Sequence, residues 1–193
     1  VIIPAFTWVA TANVVLYCGA IPVFVDVSTE TFNMDPEQVA SKVTGKTKVI
    51  IPVHLFGLCA DMDAIKAVIP KRVKILEDAA CAAGAKYKGK YAGTLGDAAV
   101  FSFHPRKSIT TGEGGMITTQ NNLFSELMDQ MRSHGATISE EQRHHGPKPY
   151  ILPDFNLLGF NYRMTDLQGS IGIVQLEKLD SFIDERSKWA TWY

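Results

Sequence analysis

The stretch Ala98-Ala99-Val100-Phe101-Ser102-Phe103-His104-Pro105-Arg106-Lys107, continued by Ser108-Ile109-Thr110-Thr111-Gly112-Glu113-Gly114-Gly115, decides how the chain is read. An apolar strand runs into a polar corner, and one lysine stands just past the proline that ends the strand. The glycine-rich turn from Gly112 to Gly115 leads into a second apolar run, Met116-Ile117-Thr118-Thr119. Hydrophobic neighbours on both sides place Lys107 at the edge of a sheet, in a pocket rather than on a solvated face. Partial desolvation weakens an amine's preference for its charged form and frees it to attack carbonyl carbon. The segment alone also allows an ordinary loop lysine behind a strand, so the decision falls to the rest of the chain.

Outward from this corner, short Val/Ile runs alternate with helical patterns. Val1-Ile2-Ile3, Pro22 to Val27, Lys48 to Val53 and Val73 to Leu76 read as strands. Thr7 is positioned to cap a helix over Trp8 to Cys18 that Gly19 ends. Asp35-Pro36-Glu37-Gln38 opens a helix through Val43, with a cap, a proline at the first helical position and a capping-box glutamine. Asp61 caps Met62 to Val68, Leu123 to Arg132 is helical, and a last helix begins near Thr165-Asp166 and runs to the end. Gly135 to Phe155 reads as a long polar loop. Nearly continuous apolar strands with short crossovers give an α/β fold, a mostly parallel sheet with helices on both faces.

Composition excludes several classes. The 193 residues are 46% hydrophobic and 20% charged, with net charge −1, so no electrostatic footprint for nucleic acid or an anionic membrane surface exists. No apolar run is long enough to span a bilayer. No basic segment followed by an apolar one opens the chain as a secretory leader would. Cys18, Cys59 and Cys81 are odd in number and widely spaced, which argues for a reducing, cytoplasmic setting and against a disulfide framework or a zinc site. His144-His145 sit in a polar segment with no metal-ligand spacing. The chain opens in the interior of a strand and stops inside a helical pattern at Trp192-Tyr193, so both ends look cut.

In parallel sheets ligands bind beyond the carboxyl ends of the strands. His54, Asp78, Ser102 and Lys107 all fall at or just past such ends. A lysine and an aspartate on one rim suit pyridoxal 5'-phosphate: the amine takes the cofactor carbonyl, and the carboxylate keeps the pyridine nitrogen protonated. Trp8 can supply an aromatic face, and Ser102 part of a phosphate cradle. Asp78 has a second reading as the N-cap of a small-residue helix, Ala79 to Ala83.

The lysine segment, Phe101 to Gly115, resembles that of the DegT/StrS-type nucleotide-sugar aminotransferases, a fold-type I pyridoxal phosphate family. Four further stretches match in order: Pro4 to Thr11, Pro52-Val53-His54-Leu55-Phe56-Gly57, Glu77-Asp78-Ala79-Ala80, and Gly159-Phe160-Asn161-Tyr162-Arg163-Met164-Thr165-Asp166. The resemblance covers essentially the whole chain. It implies that Lys107 carries the cofactor and later shuttles a proton, that Asp78 partners the ring nitrogen, that Trp8 stacks on the ring, and that Ser102 holds the phosphate. It further implies that Asn161 reaches the phosphate of a neighbouring subunit, making the site a property of a homodimer. His54 either packs under the sheet edge or serves the site, and Glu113 fixes the glycine turn.

By the same resemblance the reaction moves an amino group from an amino acid, usually glutamate, to a keto group of a nucleotide-linked deoxysugar. Residues 1–180 would be the large cofactor-binding domain, lacking its first part, and 181–193 the start of the connection to a small domain. Cys81 departs from the pattern, which more often has histidine or glutamine near the cofactor's phenolic oxygen. A thiol is a weak hydrogen-bond partner there, and a small core cysteine is the alternative reading. Two other functions stand beside transamination: a non-catalytic homologue keeping the core and the dimer surface, and a sugar dehydratase. Related dehydratases carry histidine at the lysine position.

Overall fold

The computed structural model describes residues 1–193, the side chain of Glu140 excepted. It divides into two units: residues 1–119 with 167–193, and residues 120–166. In the first, β1 (Ile2–Pro4), α1 (Ala10–Tyr17), β2 (Val23–Val25), α2 (Pro36–Lys42), β3 (Val49–Ile50), α3 (Met62–Val68), β4 (Lys74–Asp78), the hairpin β5 (Lys86–Tyr87) and β6 (Lys90–Tyr91), β7 (Ala98–Ser102) and β8 (Gly115–Thr119) follow one another. The main sheet has the order β2-β1-β3-β4-β7-β8. Every neighbouring pair is parallel except β7 with β8, where Phe101 pairs with Met116 and Ser102 with Gly115.

The two-residue period of a strand explains why these runs are apolar throughout. Ile2, Ile50 and Ile75 point to one face, where they meet Val39 of α2 and Met62 and Ile65 of α3. Their neighbours Ile3, Ile51 and Leu76 point to the other, against Ala12 and Val15 of α1. Both faces are thus covered by helices, as the sequence requires. Asp35 accepts from Glu37 N at 2.8 Å and Asp61 from Ala64 N at 3.0 Å, so both expected caps form.

Several boundaries differ from expectation. Thr7 does not cap α1; the helix begins after Val9, and Thr7 Oγ1 instead lies 3.2 Å from Thr11 Oγ1. No helix forms over Ala79 to Ala83: the segment is turns, so the Asp78 side chain is not a helix cap. The terminal helical pattern is two helices, α6 (Asp166–Glu177) and α7 (Leu179–Trp192), broken at Lys178. The hairpin of β5 and β6, short and rich in lysine and tyrosine, was not foreseen, because two-residue strands leave almost no periodicity to read.

In the second unit, α4 (Asn122–Arg132) starts as expected, capped by Asn121, whose side chain accepts from Phe124 N. The segment read as a continuous loop holds α5 (Glu140–His145), opened by a capping box between Ser139 and Gln142. Isolated bridges join Ser133 to Asn161 and Ala136 to Phe155, and the rings of Phe160 and Tyr162 stack with centroids 4.8 Å apart.

The face that packs on α2 and α3 should dominate stability. Ile65→Ala, at a fully buried position, should cost about 2–5 kcal/mol, read as a lower denaturant midpoint at unchanged slope. Leu123→Ala, at an exposed one, should stay within about 0.5 kcal/mol.

Candidate functional site

The last two residues of β4 face opposite ways. Glu77 shares the parity of Val73 and Ile75 and turns inward, where neither it nor His54 has any exposed surface. Its carboxylate receives Gly93 N at 2.8 Å, Leu95 N at 2.7 Å, Gly96 N at 2.6 Å and His54 Nε2 at 2.9 Å. Because His54 Nδ1 accepts from Ala60 N at 3.1 Å, the imidazole proton sits on Nε2 and points at Glu77. Burial opposes the charged carboxylate, but the His54 bond and the Gly93 and Gly96 amides outweigh it and hold the Glu77 pKa below its ordinary value. The nearby Cys59 thiol is pushed up, by burial first and by the Glu77 charge second. His54 therefore belongs to the structure beneath the edge.

Asp78 has the parity of Leu76 and meets α1. Thr11 Oγ1, itself buried, donates to Asp78 Oδ2 at 2.8 Å, and Ala80 N donates to Oδ1 at 3.2 Å. Thr11 has one hydroxyl proton and gives it to Asp78, so Thr7 must be the donor in its contact with Thr11. The backbone of Asp78 is fixed on both sides: His54 N donates to its carbonyl at 3.0 Å, and its own N–H donates to Pro52 O at 2.8 Å. Trp8 lies one turn ahead of Thr11, whose N–H binds the Trp8 carbonyl at 3.1 Å. The Trp8 side chain stays 73% exposed, a free aromatic face.

Lys107 is held by the corner after β7. Its N–H binds His104 O at 2.9 Å, while Phe103 N donates to Gly114 O at 2.8 Å and Phe103 O receives Thr111 N at 3.1 Å, closing the loop. Thr111 Oγ1 and Gln168 Nε2 both donate to the Glu113 backbone carbonyl, while the Glu113 side chain stays largely exposed. The Lys107 ammonium reaches Cys81 Sγ at 3.1 Å. Cys81 is exposed rather than a core cysteine. Ser102, at the end of β7, accepts from His104 N at 3.3 Å through Oγ and keeps its own proton to give.

A cavity of about 450 Å³ adjoins this corner, lined by Phe56, Cys81, Arg106, Lys107, Arg186 and Ser187 among others. Asp78, Trp8 and Ser102 do not line it. Gly84, with φ +83°, also forms its wall; a Cβ there would run into the Ile183 side chain. Asn161 lies in the second unit, exposed, on the bridge to Ser133. Among the described residues no group of three or more His, Cys, Asp or Glu side chains could hold a metal ion, and no helix is long and apolar enough to cross a membrane.

Two residues at this edge escaped the sequence reading. Thr11 reads as one more small residue in an alanine-rich helix, with nothing to single it out. Glu77 carried a signal: a charged residue directly continuing an apolar strand, at the parity of its buried members.

A lysine at the edge of an α/β sheet, in a corner closed by a glycine turn and beside an aspartate-bearing strand end, is an arrangement with known relatives. The chain belongs to the DegT/DnrJ/EryC1/StrS aminotransferase family, whose sequence description matches residues 1–193. A GDP-perosamine synthase of Caulobacter vibrioides is 44% identical over 194 residues, an alignment taking in 100% of this chain and 49% of that protein. A putative sugar aminotransferase of Streptococcus pneumoniae, in its PMP form, superposes with a TM-score of 0.88 at 32% identity, over 97% of this chain and 52% of its own. The Escherichia coli GDP-4-keto-6-deoxy-D-mannose-3-dehydratase with bound hydrated PLP gives 0.87 at 33% identity, over 99% and 51%. The chain spans about half the length of the curated relatives it matches.

Glu77 links stability to pH. A carboxyl whose folded pKa is depressed contributes its stability above the ordinary value and loses it as the pH falls through the folded one. Thermal stability should therefore fall as the pH drops below the ordinary glutamate value of 4.5. Glu77→Gln should lose at least about 2 kcal/mol at neutral pH, because buried N–H groups are left poorly matched, and should show a shallower acid decline. A melting profile between pH 7 and pH 3 that is parallel for the two proteins would contradict this.

Proposed function

We propose that this chain is the cofactor-binding part of a pyridoxal phosphate-dependent aminotransferase that moves an amino group from an amino acid, glutamate by resemblance, to a keto group of a nucleotide-linked deoxysugar. One observation carries the reading: the Lys107 amine contacts Cys81, three residues beyond Asp78, whose carboxylate folds back on Ala80. The amine thus lies against the turn that follows the strand end bearing Asp78.

The donor set fits the cofactor. There is a primary amine for its carbonyl, a carboxylate for its ring nitrogen, a hydroxyl with a free proton at Ser102 for a phosphate oxygen, and an exposed indole at Trp8 for its ring. When bound, pyridoxal phosphate supplies an electron sink for the charge left on carbon after a C–H proton departs. The protein's own part is positional. Thr7 and Thr11 aim the Asp78 carboxylate, which would hold a proton on the cofactor's ring nitrogen through a charge-assisted bond. Lys107 Nζ would serve as the base that takes the proton from the donor's α-carbon and, in the acceptor half, as the acid that gives one to the sugar's carbon. Cys81 offers Lys107 only a weak partner, which leaves the amine mobile.

Asn161 would reach the cofactor phosphate of a second copy, making the working unit a homodimer. Three free thiols among the described residues support a cytoplasmic setting. Lysine rather than histidine at position 107 favours amino transfer over dehydration.

The donor half of the reaction tests the reading. Glutamate should convert the cofactor on the loaded protein to its pyridoxamine form, followed by absorbance. Lys107→Ala should abolish the conversion, and Asp78→Asn should slow it by about 100-fold or more. A rate unaltered in Asp78→Asn would remove the carboxylate from the reaction.

A further inference from the structure

Lys107 sits on a loop whose second half leans on α6. From Leu167 to Leu176 that helix is aliphatic, glycine or serine except for two glutamines, Gln168 and Gln175. With Gly172 they are spaced by four and three residues, so all three share one face. Gln168 Nε2 donates to the Glu113 backbone carbonyl at 2.9 Å, and Gln175 Oε1 accepts from Thr110 N at 3.2 Å. Between them Gly172 permits a close approach: a Cβ there would stand 3.1 Å from Thr111 Cγ2. Thr111 has little room to yield. It is 4% exposed, its N–H donates to Phe103 O at 3.1 Å, and its hydroxyl donates to the Glu113 carbonyl at 2.7 Å. Thr110 is tied back in the same way, its Oγ1 donating to Phe103 O at 2.8 Å. Phe103 to Thr111 thus form a closed loop with Lys107 inside it, and α6 holds the closing end.

We propose that Gln168 and Gln175 are positioning residues for Lys107, fixing its loop against α6, with Gly172 setting the distance between the two. This rests on the reading of Lys107 as the amine that takes the cofactor. The two glutamines do opposite jobs. Gln168 must donate to a carbonyl, and Gln175 must accept from an amide. Glutamine can do either, whereas an ionised glutamate only accepts. Replacement by glutamate therefore has opposite consequences at the two ends of the stripe: it preserves the bond at 175 and sets a carboxylate against a carbonyl oxygen at 168. A reacting group displaced by about 1 Å can lose about 100-fold in rate, so a slackened loop is read most directly in the chemistry of Lys107.

Timed labelling tests this: the protein is treated with pyridoxal phosphate, reduced with borohydride at intervals, and the pyridoxyl group on the Lys107 peptide is quantified by mass spectrometry. Label on the exposed Lys46 serves as the internal reference and should not change. Gln175→Leu should slow labelling of Lys107 by at least about tenfold, and Gln175→Glu should stay within about twofold of the parent. At the other end Gln168→Glu should slow it at least as much as Gln168→Leu. Gly172→Ala should slow it too, although alanine is the better helix former. Amide exchange across residues 108–114, measured without cofactor, should quicken in Gln175→Leu and return to the parent's rate in Gln175→Glu. Parent-like labelling of Lys107 in both Gln175→Leu and Gln168→Glu overturns the proposal alone, as does a Gln175→Glu variant as slow as Gln175→Leu. A parent in which Lys107 takes no label overturns the cofactor reading, and the positioning role falls with it.

Discussion

The edge of the sheet depends on a buried carboxylate. Glu77 takes four hydrogen bonds from donors far apart in sequence: His54 behind β3, and the amides of Gly93, Leu95 and Gly96 ahead of β7. A charge with no solvent contact is tolerable only when its lone pairs are filled by well-aimed donors, and here they are. The consequence is registration. The end of β4, the segment after β3 and the lead-in to β7 are thereby locked to one point, and the next residue, Asp78, is delivered to the opposite face by the strand's two-residue period.

That alternation divides labour between neighbouring acids. Glu77 holds the architecture and is wholly inside it. Asp78 is partly exposed, keeps lone pairs free, and is aimed by a hydroxyl relay from α1. Lys107 is delivered to the same corner by independent means, a loop pinned at Phe103 by the Gly114 carbonyl and the Thr111 amide. The amine and the carboxylate thus rest on separate supports: Lys107 Nζ reaches Cys81, while Asp78 is bonded to Thr11 and Ala80.

The fold was legible in the sequence because its main strands are apolar on both faces and its helices α2 and α3 carry unambiguous Asp caps. The lysine corner was legible because its glycines and proline punctuate it. What could not be read was pairing across distance. Nothing local says that His54 turns inward to Glu77 rather than outward to the rim, since both lie at strand ends and both are polar. Nothing in an alanine-rich helix marks Thr11 as the donor to Asp78. The capping role imagined for Thr7 failed because its hydroxyl serves that relay instead of the helix terminus. Residues 135–155 hid a helix because its six residues are all polar and carry no hydrophobic period.

The central claim is that one particular amine, at position 107, is the covalent seat of the cofactor. Borohydride reduction of the pyridoxal phosphate-treated protein, followed by peptide mapping by mass spectrometry, tests it directly. The account predicts a pyridoxyl group on Lys107 at close to one per chain. Label spread over surface lysines such as Lys42, Lys46 and Lys71, or absent from the peptide carrying Lys107, would contradict it.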